Sequence, residues 1–255
     1  MDRILGRTGL NVSPISFGAF KIGRNENTKY ENSYQLPSED DCEKLLNEIL
    51  DMGINLIDTA PAYGLSETRI GNCISHRRSQ YALSTKVGEQ FAQGESQYRF
   101  DSEAIHTSVH ESLVRLRTDH IDIAFVHSDG QDLKIIEAGE TLETLVDLRE
   151  QGVLRHIGFS GKTAEGHIRA INSGIVDVLM IEYNPLETGQ RDVIDLAGEH
   201  GIGVIVKKGL ASGKLPAAEA IPFCLEPQSV SSVVVGSLHA EHISENLNLA
   251  RKCIG

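Results

Sequence analysis

Four residues of different chemistry stand at or just after the ends of short apolar runs. Asp58, Lys86 and His127 each close such a run, and Tyr63 follows in the loop after the first. A carboxylate beside a buried lysine keeps that lysine protonated, and the lysine charge favours a nearby phenolate. We therefore expect Lys86 to lower the pKa of Tyr63 from its usual ~10. Such a tyrosine can exchange a proton with a carbonyl or alcohol oxygen, which a histidine can orient.

Each of these residues alone also has an ordinary structural explanation, as a helix cap, a rim charge, a core histidine or a wall of the cleft. Their joint occurrence at consecutive strand ends favours a shared site. The set contains no hydride source and no nucleophile of its own, so the reaction would need another group.

Eight short apolar runs recur along the chain, each followed by a loop. They are ISFGAF (15–20), INLIDTA (54–60), YALSTKV (81–87), IDIAFVH (121–127), HIGFSG (156–161), VLMIEYN (178–184), GVIVKK (203–208) and SVVVGS (232–237). Amphipathic helices are predicted between many of them, at 38–52, 101–116, 141–150, 163–172, 190–200 and 240–252. Apolar strands alternating with helices are typical of a parallel sheet covered on both faces.

Eight such units predict an α/β fold, a single (β/α)8 TIM barrel domain over residues 1–255. The opening RILGRTGLNVS (3–13) has two short extended pieces around Thr8 and Gly9, so we predict an N-terminal β-hairpin at the barrel floor. The part of the chain that follows the last barrel strand is expected to be short. In barrels of this type the chemistry lies at the C-terminal ends of the strands.

The composition and net charge of the chain limit the kinds of partner that it can bind. A net charge of -12 argues against nucleic acid and against an anionic membrane, and any bound phosphate must meet a locally positive pocket. The sequence has no run of ~20 apolar residues and no signal-peptide core at its start. The four cysteines form no CxxC pair, which favours reduced thiols in a cytoplasmic protein.

The chain resembles the aldo-keto reductase superfamily over nearly its whole length. The resemblance is carried by LGRTGLNVSPISFGAF (5–20), DTAPAYGLSE (58–67), STK (84–86), FVH (125–127) and ISENLNLA (243–250). It implies a catalytic tetrad of Asp58, Tyr63, Lys86 and His127. Tyr63 would be the general acid in carbonyl reduction, and a nicotinamide cofactor lying across the barrel mouth would supply the hydride.

The resemblance also implies a set of cofactor contacts. They are Ala19, Ser160, Gly161, Met180, Lys207, Leu210, Ser212, Lys214, Ser237, His242, Glu245 and Asn246. Ser160 corresponds to the residue that meets the nicotinamide carboxamide. Gly161 and Met180 replace the usual asparagine and glutamine, and Lys207 replaces the tyrosine that often stacks on the ring.

The residues expected to bind the 2′-phosphate of the cofactor depart further from the family pattern. Gly236 and His242 stand where relatives have the lysine and arginine that bind the 2′-phosphate. A neutral histidine binds a dianion more weakly than an arginine. NADPH is the cofactor that the resemblance implies, with NADH or dual use left open.

Other functions are left open by the residues themselves. Lys86, Lys207 and Lys208 end barrel strands, as the lysine of a Schiff-base lyase or aldolase would. A regulatory member of the family that binds cofactor with little turnover is a third hypothesis.

The substrate is expected to be a small carbonyl compound. The loop GRNENTKYENSYQL (23–36) is long enough to cover the mouth, and its asparagines and tyrosines suit a sugar or polyol. His106 and His110 are four apart, but without an adjoining glutamate they do not indicate a metal site. The sequence leaves the oligomeric state open.

Overall fold

A computed structural model of the chain describes residues 1–28 and 33–254. The strands are β1 (Arg3–Ile4), β2 (Asn11–Val12), β3 (Ile15–Gly18), β4 (Leu56–Asp58), β5 (Ala82–Val87), β6 (Glu89–Ala92), β7 (Glu95–Tyr98), β8 (Ile121–His127), β9 (Leu154–Ser160), β10 (Val178–Glu182), β11 (Gly203–Lys207) and β12 (Val230–Val235). The α-helices are α1 (Glu39–Asp51), α2 (Ser66–Ile74), α3 (Ser102–Leu116), α4 (Asp132–Ala138), α5 (Glu140–Glu150), α6 (Ala164–Asn172), α7 (Arg191–Glu199), α8 (Ala217–Leu225) and α9 (Ala240–Ile254).

Eight parallel strands close into a barrel in the order β3, β4, β5, β8, β9, β10, β11, β12, with β12 pairing back to β3. The register sets Gly18 beside Asp58 and Asp58 beside Ser84. The predicted TIM barrel is therefore confirmed. Because all eight strands run in the same direction, their C-terminal residues meet around one mouth.

The N-terminal hairpin is also confirmed. β1 and β2 pair antiparallel, with Arg3 opposite Val12, and Gly9 provides the left-handed turn residue at φ 74°. Leu5 and Val12 are fully buried in one apolar cluster with the barrel-interior residues Phe125 and Met180. The hairpin thus closes the end of the barrel opposite the mouth.

The predicted capping residues begin the helix α1. The Ser38 hydroxyl accepts a hydrogen bond from the Asp41 amide at 3.1 Å, so the capping box at the start of α1 is present. α1 buries Leu45, Leu46 and Ile49 against the barrel. That burial fixes the loop leading into β4, and with it the position of Asp58.

Four elements were not predicted. α2 carries buried polar residues that break its apolar pattern, α4 is only seven residues long, and α8 contains Pro222. The fourth is the antiparallel hairpin β6–β7 in the segment after Lys86, for which no strands were predicted. Its turn residues Gln93 and Gly94 have φ of 55° and 82°, as a tight hairpin requires.

None of the helices in the described residues is long and apolar enough to cross a membrane. All four cysteines are free thiols, of which Cys42, Cys73 and Cys224 are buried and Cys253 is exposed.

Candidate active site

Asp58 and Lys86 form a buried ion pair at the barrel mouth. Lys86 Nζ lies 2.8 Å from Oδ1 and 2.7 Å from Oδ2 of Asp58, and it also donates to the Thr59 carbonyl at 2.8 Å. Ser84 donates to Asp58 Oδ1 at 2.7 Å. Burial alone would lower the pKa of Lys86, but the Asp58 carboxylate and Tyr63 outweigh it, so the pKa is raised. Asp58 thus keeps Lys86 charged, as predicted.

Tyr63 lies against this ammonium. Lys86 Nζ is 4.8 Å from the centroid of the Tyr63 ring, and Phe20 packs edge-on against the same ring at a centroid distance of 5.0 Å. Burial raises the pKa of Tyr63, and the Lys86 charge opposes that rise without cancelling it. The prediction of a lowered pKa was therefore wrong, because desolvation of the phenolate exceeds the attraction of one lysine already paired with a carboxylate. Tyr63 is protonated at neutral pH, as a proton donor must be.

His127 completes the group, with its ring centroid 6.4 Å from that of Tyr63. Its Nδ1 lies 2.8 Å from Oε2 of Glu89, although the angle falls outside the range of a hydrogen bond. Burial lowers the pKa of His127, and the Glu89 carboxylate opposes this shift. His127 is accordingly neutral at physiological pH, with Nδ1 facing the carboxylate.

Glu89 is a site residue that sequence reasoning missed. It lies on β6, and Ser96 on β7 donates to its other oxygen at 2.6 Å. Burial alone would raise the pKa of Glu89, but its contacts with His127, Ser96 and Tyr98 lower it to about 2. The available signal was the Gln93–Gly94 turn between two short polar-apolar segments, which indicates a hairpin.

Residues 23–28 and the β6–β7 hairpin meet on one side of the mouth. Asn27 donates to the Gly94 carbonyl at 2.5 Å, and the Arg24 guanidinium lies 3.3 Å from the centroid of the Phe91 ring. Residues 29–32, on which the predicted cover partly depends, lie outside the described residues. The flank 23–28 forms part of the wall of the cleft.

A cavity of about 1020 Å³ opens at the mouth, and all four tetrad residues line it. Its charged lining residues are Lys21, Arg24, Lys86, Lys162, Lys207 and Lys208, against Asp58, Glu89, Glu182 and Glu187. Cations outnumber anions there, although the chain as a whole carries a net charge of -12. The lining is the locally positive surface that a phosphate would require.

Half of the predicted cofactor residues line the same cavity. They are Ser160, Gly161, Met180, Lys207, Leu210 and Ser212. Lys207, at the end of β11, donates from Nζ to Ser160 Oγ at 2.9 Å and to the Gly161 carbonyl at 2.8 Å. Burial, together with the neighbouring Lys208, lowers the pKa of Lys207 to about 7.

The other six predicted cofactor residues do not line this cavity. Ala19 is fully buried in the core, so its side chain faces packed atoms, and its carbonyl accepts from Ser66 at 2.9 Å. The remaining five are Lys214, Ser237, His242, Glu245 and Asn246. Ser237 Oγ is 3.4 Å from Nδ1 of His242 at the start of α9, where Asn246 is buried and Glu245 is exposed.

The segment after β11 has an uncommon backbone. Ala211, Ser212 and Gly213 have φ of 46°, 60° and 94°, a run of left-handed residues. Two of them, Ser212 and Gly213, line the cavity. The amides of Ala211 and Gly213 donate within this turn, to the carbonyls of Lys208 and Leu210 at 2.8 Å each, so these two amides are not available to an anion.

Comparison with known proteins gives a consistent result. The family model described as Aldo/keto reductase family matches residues 14–222. L-galactose dehydrogenase of Arabidopsis thaliana is 28% identical, over 96% of this chain and 86% of that protein. The NADH-specific methylglyoxal reductase of Escherichia coli is 29% identical, over 83% of this chain and 68% of that protein. A solved structure from Pseudomonas aeruginosa, assigned to the aldo-keto reductases, superposes with a TM-score of 0.92 at 39% identity, covering 100% of this chain and 96% of that one.

Proposed function

The chain belongs to the aldo/keto reductase family, and we propose that it interconverts a carbonyl compound and an alcohol with NAD(P)H, using Tyr63 as the general acid and base. The observation that carries the proposal is the buried contact of Asp58, Lys86 and Tyr63 at the barrel mouth.

Tyr63 donates the proton in this proposal. A phenol of ordinary pKa, ~10, is protonated at neutral pH, and burial raises the pKa of Tyr63 further, so its hydroxyl can give a proton to a carbonyl oxygen as negative charge develops there. The Lys86 ammonium lies beside the ring and stabilises the phenolate that remains. Asp58 holds the ammonium charged and in place.

His127 orients the reacting oxygen. Its ring is neutral, and the Glu89 carboxylate faces Nδ1. This arrangement favours the tautomer with the proton on Nδ1 and leaves Nε2 outside that contact. A fixed ring at the edge of Tyr63 limits the poses that a carbonyl group can take.

The residues present fit a nicotinamide dinucleotide. The Ser160 hydroxyl and the Lys207 ammonium offer polar contacts at one part of the cavity, and the cationic lining suits the pyrophosphate. When bound, this cofactor supplies the hydride. The chain's own part is to bind it, to orient the carbonyl and to move the proton.

The adenosine end favours NADH over the NADPH that the family resemblance implies. From Gly236 to Asn246 the chain has no lysine or arginine, and Glu241 and Glu245 are both exposed. A 2′-phosphate there would meet the weak donor His242 beside two carboxylates. The name of the NADH-specific relative supports the same choice.

A sugar or another polyhydroxy carbonyl compound is the proposed substrate class. The part of the cavity lining that comes from residues 23–28 and the β6–β7 hairpin includes Asn27, Ser96 and Tyr98, which can hydrogen-bond hydroxyl groups. L-galactose dehydrogenase among the relatives supports this class.

The test is a cofactor titration followed by a substrate panel. We expect saturable quenching of NADH fluorescence on binding, a weaker response to NADPH, and oxidation or reduction of sugars in preference to simple aliphatic aldehydes. Absence of binding by either cofactor would contradict the proposal, and turnover confined to aliphatic aldehydes would contradict the substrate class.

A Schiff-base lyase is the second candidate, favoured by one observation. Lys207 lines the cavity with a pKa of about 7, so a nucleophilic neutral amine is present at physiological pH. Borohydride treatment with each sugar of the panel, followed by mass spectrometry, tests it. A substrate adduct on Lys207 would favour the lyase, and an unmodified protein with cofactor-dependent turnover would favour the reductase.

A further inference from the structure

Lys207 places in the cavity a charge whose two hydrogen-bond acceptors are neutral groups. Its Nζ contacts Ser160 Oγ and the Gly161 carbonyl, both uncharged oxygens. Among residues 1–28 and 33–254 no ion pair involves Lys207, whereas Lys86 is paired with Asp58 and Lys208 with Glu182. The Lys207 charge is thus the one among these three that no carboxylate neutralises by contact.

The surrounding charges do not remove this excess. Lys208 and Lys86 are positive neighbours, and Glu182 and Asp132 are negative ones that act from beyond contact distance. The Asp132 carboxylate already accepts from the Lys162 and Thr163 amides. His127 and His167 also sense the Lys207 charge, but burial lowers the pKa of each.

The contacts of Lys207 coincide with the expected position of the nicotinamide. Ser160 is the residue that the family resemblance assigns to the carboxamide, and Gly161 and Met180 lack the amide side chains found in relatives. The ammonium therefore lies where those amides would have met the ring. This step rests on the proposed function, since it assumes that a nicotinamide cofactor binds here.

We propose that the Lys207 ammonium makes this site discriminate between the two oxidation states of the cofactor, binding the neutral dihydronicotinamide more tightly than the cationic nicotinamide. A fixed positive charge repels the oxidised ring and leaves the reduced ring unaffected to first order. By linkage, an enzyme-bound cofactor then accepts a hydride more readily than the free one does. The site is biased toward oxidation of the alcohol.

The bias is expected to depend on pH because Lys207 titrates near neutrality. Its pKa is lowered to about 7, so the ammonium is present at pH 6 and mostly absent at pH 9. Lys86 does not follow it, because its pKa is raised. Binding of the oxidised cofactor at pH 7 should also displace the proton from Lys207 and release it to solvent.

The experiment measures dissociation constants of NADH and NAD⁺ by fluorescence titration and competition at pH 6 and pH 9. It compares the wild type with Lys207→Met, Lys207→Arg and the matched control Lys208→Met, whose charge is already paired with Glu182. We expect the ratio of the NAD⁺ to the NADH constant to fall about tenfold or more in Lys207→Met at pH 6. Lys207→Arg should keep the wild-type ratio and lose its pH dependence.

Lys208→Met should change the ratio less than Lys207→Met does. In the wild type, which needs no substitution, the ratio should fall as the pH rises from 6 to 9. An unchanged ratio in Lys207→Met with both cofactors still bound, or a wild-type ratio independent of pH, would overturn the proposal for Lys207 alone. Failure of the wild type to bind either cofactor would overturn the proposed function as well.

Discussion

The Lys86 ammonium lies 2.7 and 2.8 Å from the two carboxylate oxygens of Asp58, and neither side chain is more than 4% exposed. Removing one partner of an ion pair buried this deeply leaves an uncompensated charge in the protein interior. It also places a permanent charge beside the Tyr63 ring. Stability and proposed chemistry therefore depend on the same contact.

Removing the carboxylate should destabilise the fold. We expect Asp58→Asn to lower the free energy of unfolding by about 3 kcal/mol or more, because a buried ammonium loses its counter-charge. Urea denaturation at pH 7 measures it. The double variant Asp58→Asn/Lys86→Met should lose less than the sum of the single variants. An Asp58→Asn protein as stable as the wild type would mean that the pair contributes nothing to folding.

We expect the contribution of Glu89 to the free energy of unfolding to depend on pH in the acid range. Its folded pKa is lowered from 4.5 to about 2, so its contribution is fully present above pH 4.5 and is lost as the pH falls toward 2. We expect Glu89→Gln to be less stable than the wild type at pH 7, with the difference shrinking across that window. Urea unfolding at pH 7, 4.5 and 3 follows the difference.

The control for Glu89 is Glu187→Gln, which removes an exposed carboxylate at the same cavity. It should leave the pH profile of stability close to that of the wild type. A stability difference for Glu89→Gln that stays constant down to pH 3 would show that its carboxylate is not held by His127 and Ser96. Titration of His127 by NMR should also show a further decrease in its pKa when Glu89 is neutralised.

Cofactor choice should respond to one substitution at the start of α9. We expect His242→Arg to strengthen NADPH binding about tenfold relative to NADH, because a guanidinium can pair with the 2′-phosphate in two parallel hydrogen bonds. Titration with both cofactors measures the ratio, and His242→Gln serves as the uncharged control. Equal gains for NADH and NADPH would show that residue 242 does not meet the phosphate.

The barrel was predictable because its signals are repeated. Eight apolar runs with loops between them specify parallel strands, and the structure forms all eight close to their predicted bounds. Asp58, Lys86 and His127 could be grouped because parallel strands bring their ends to one mouth. Tyr63 could be added to this group because it lies in the short loop after β4.

The features of the site that could not be predicted from the sequence depend on burial and on contacts between residues that are distant in the chain. The sign of the Tyr63 pKa shift follows from desolvation, which only the packed structure determines. The contact of Glu89 with His127 requires the β6–β7 hairpin to fold back over the mouth, and neither strand of it has a strong apolar pattern. Lys207 was identified as a departure from the family, but its two partners came from the fold.

The most direct test of the account is hydride transfer in Tyr63→Phe, measured in a single turnover beside the dissociation constant of NADH. The substitution keeps the ring that packs on Phe20 and removes only the hydroxyl. We expect the rate to fall about 100-fold or more, with cofactor affinity nearly unchanged. A Tyr63→Phe protein that transfers hydride at the wild-type rate, or that loses rate and cofactor affinity equally, would contradict the assignment of Tyr63 as the proton donor.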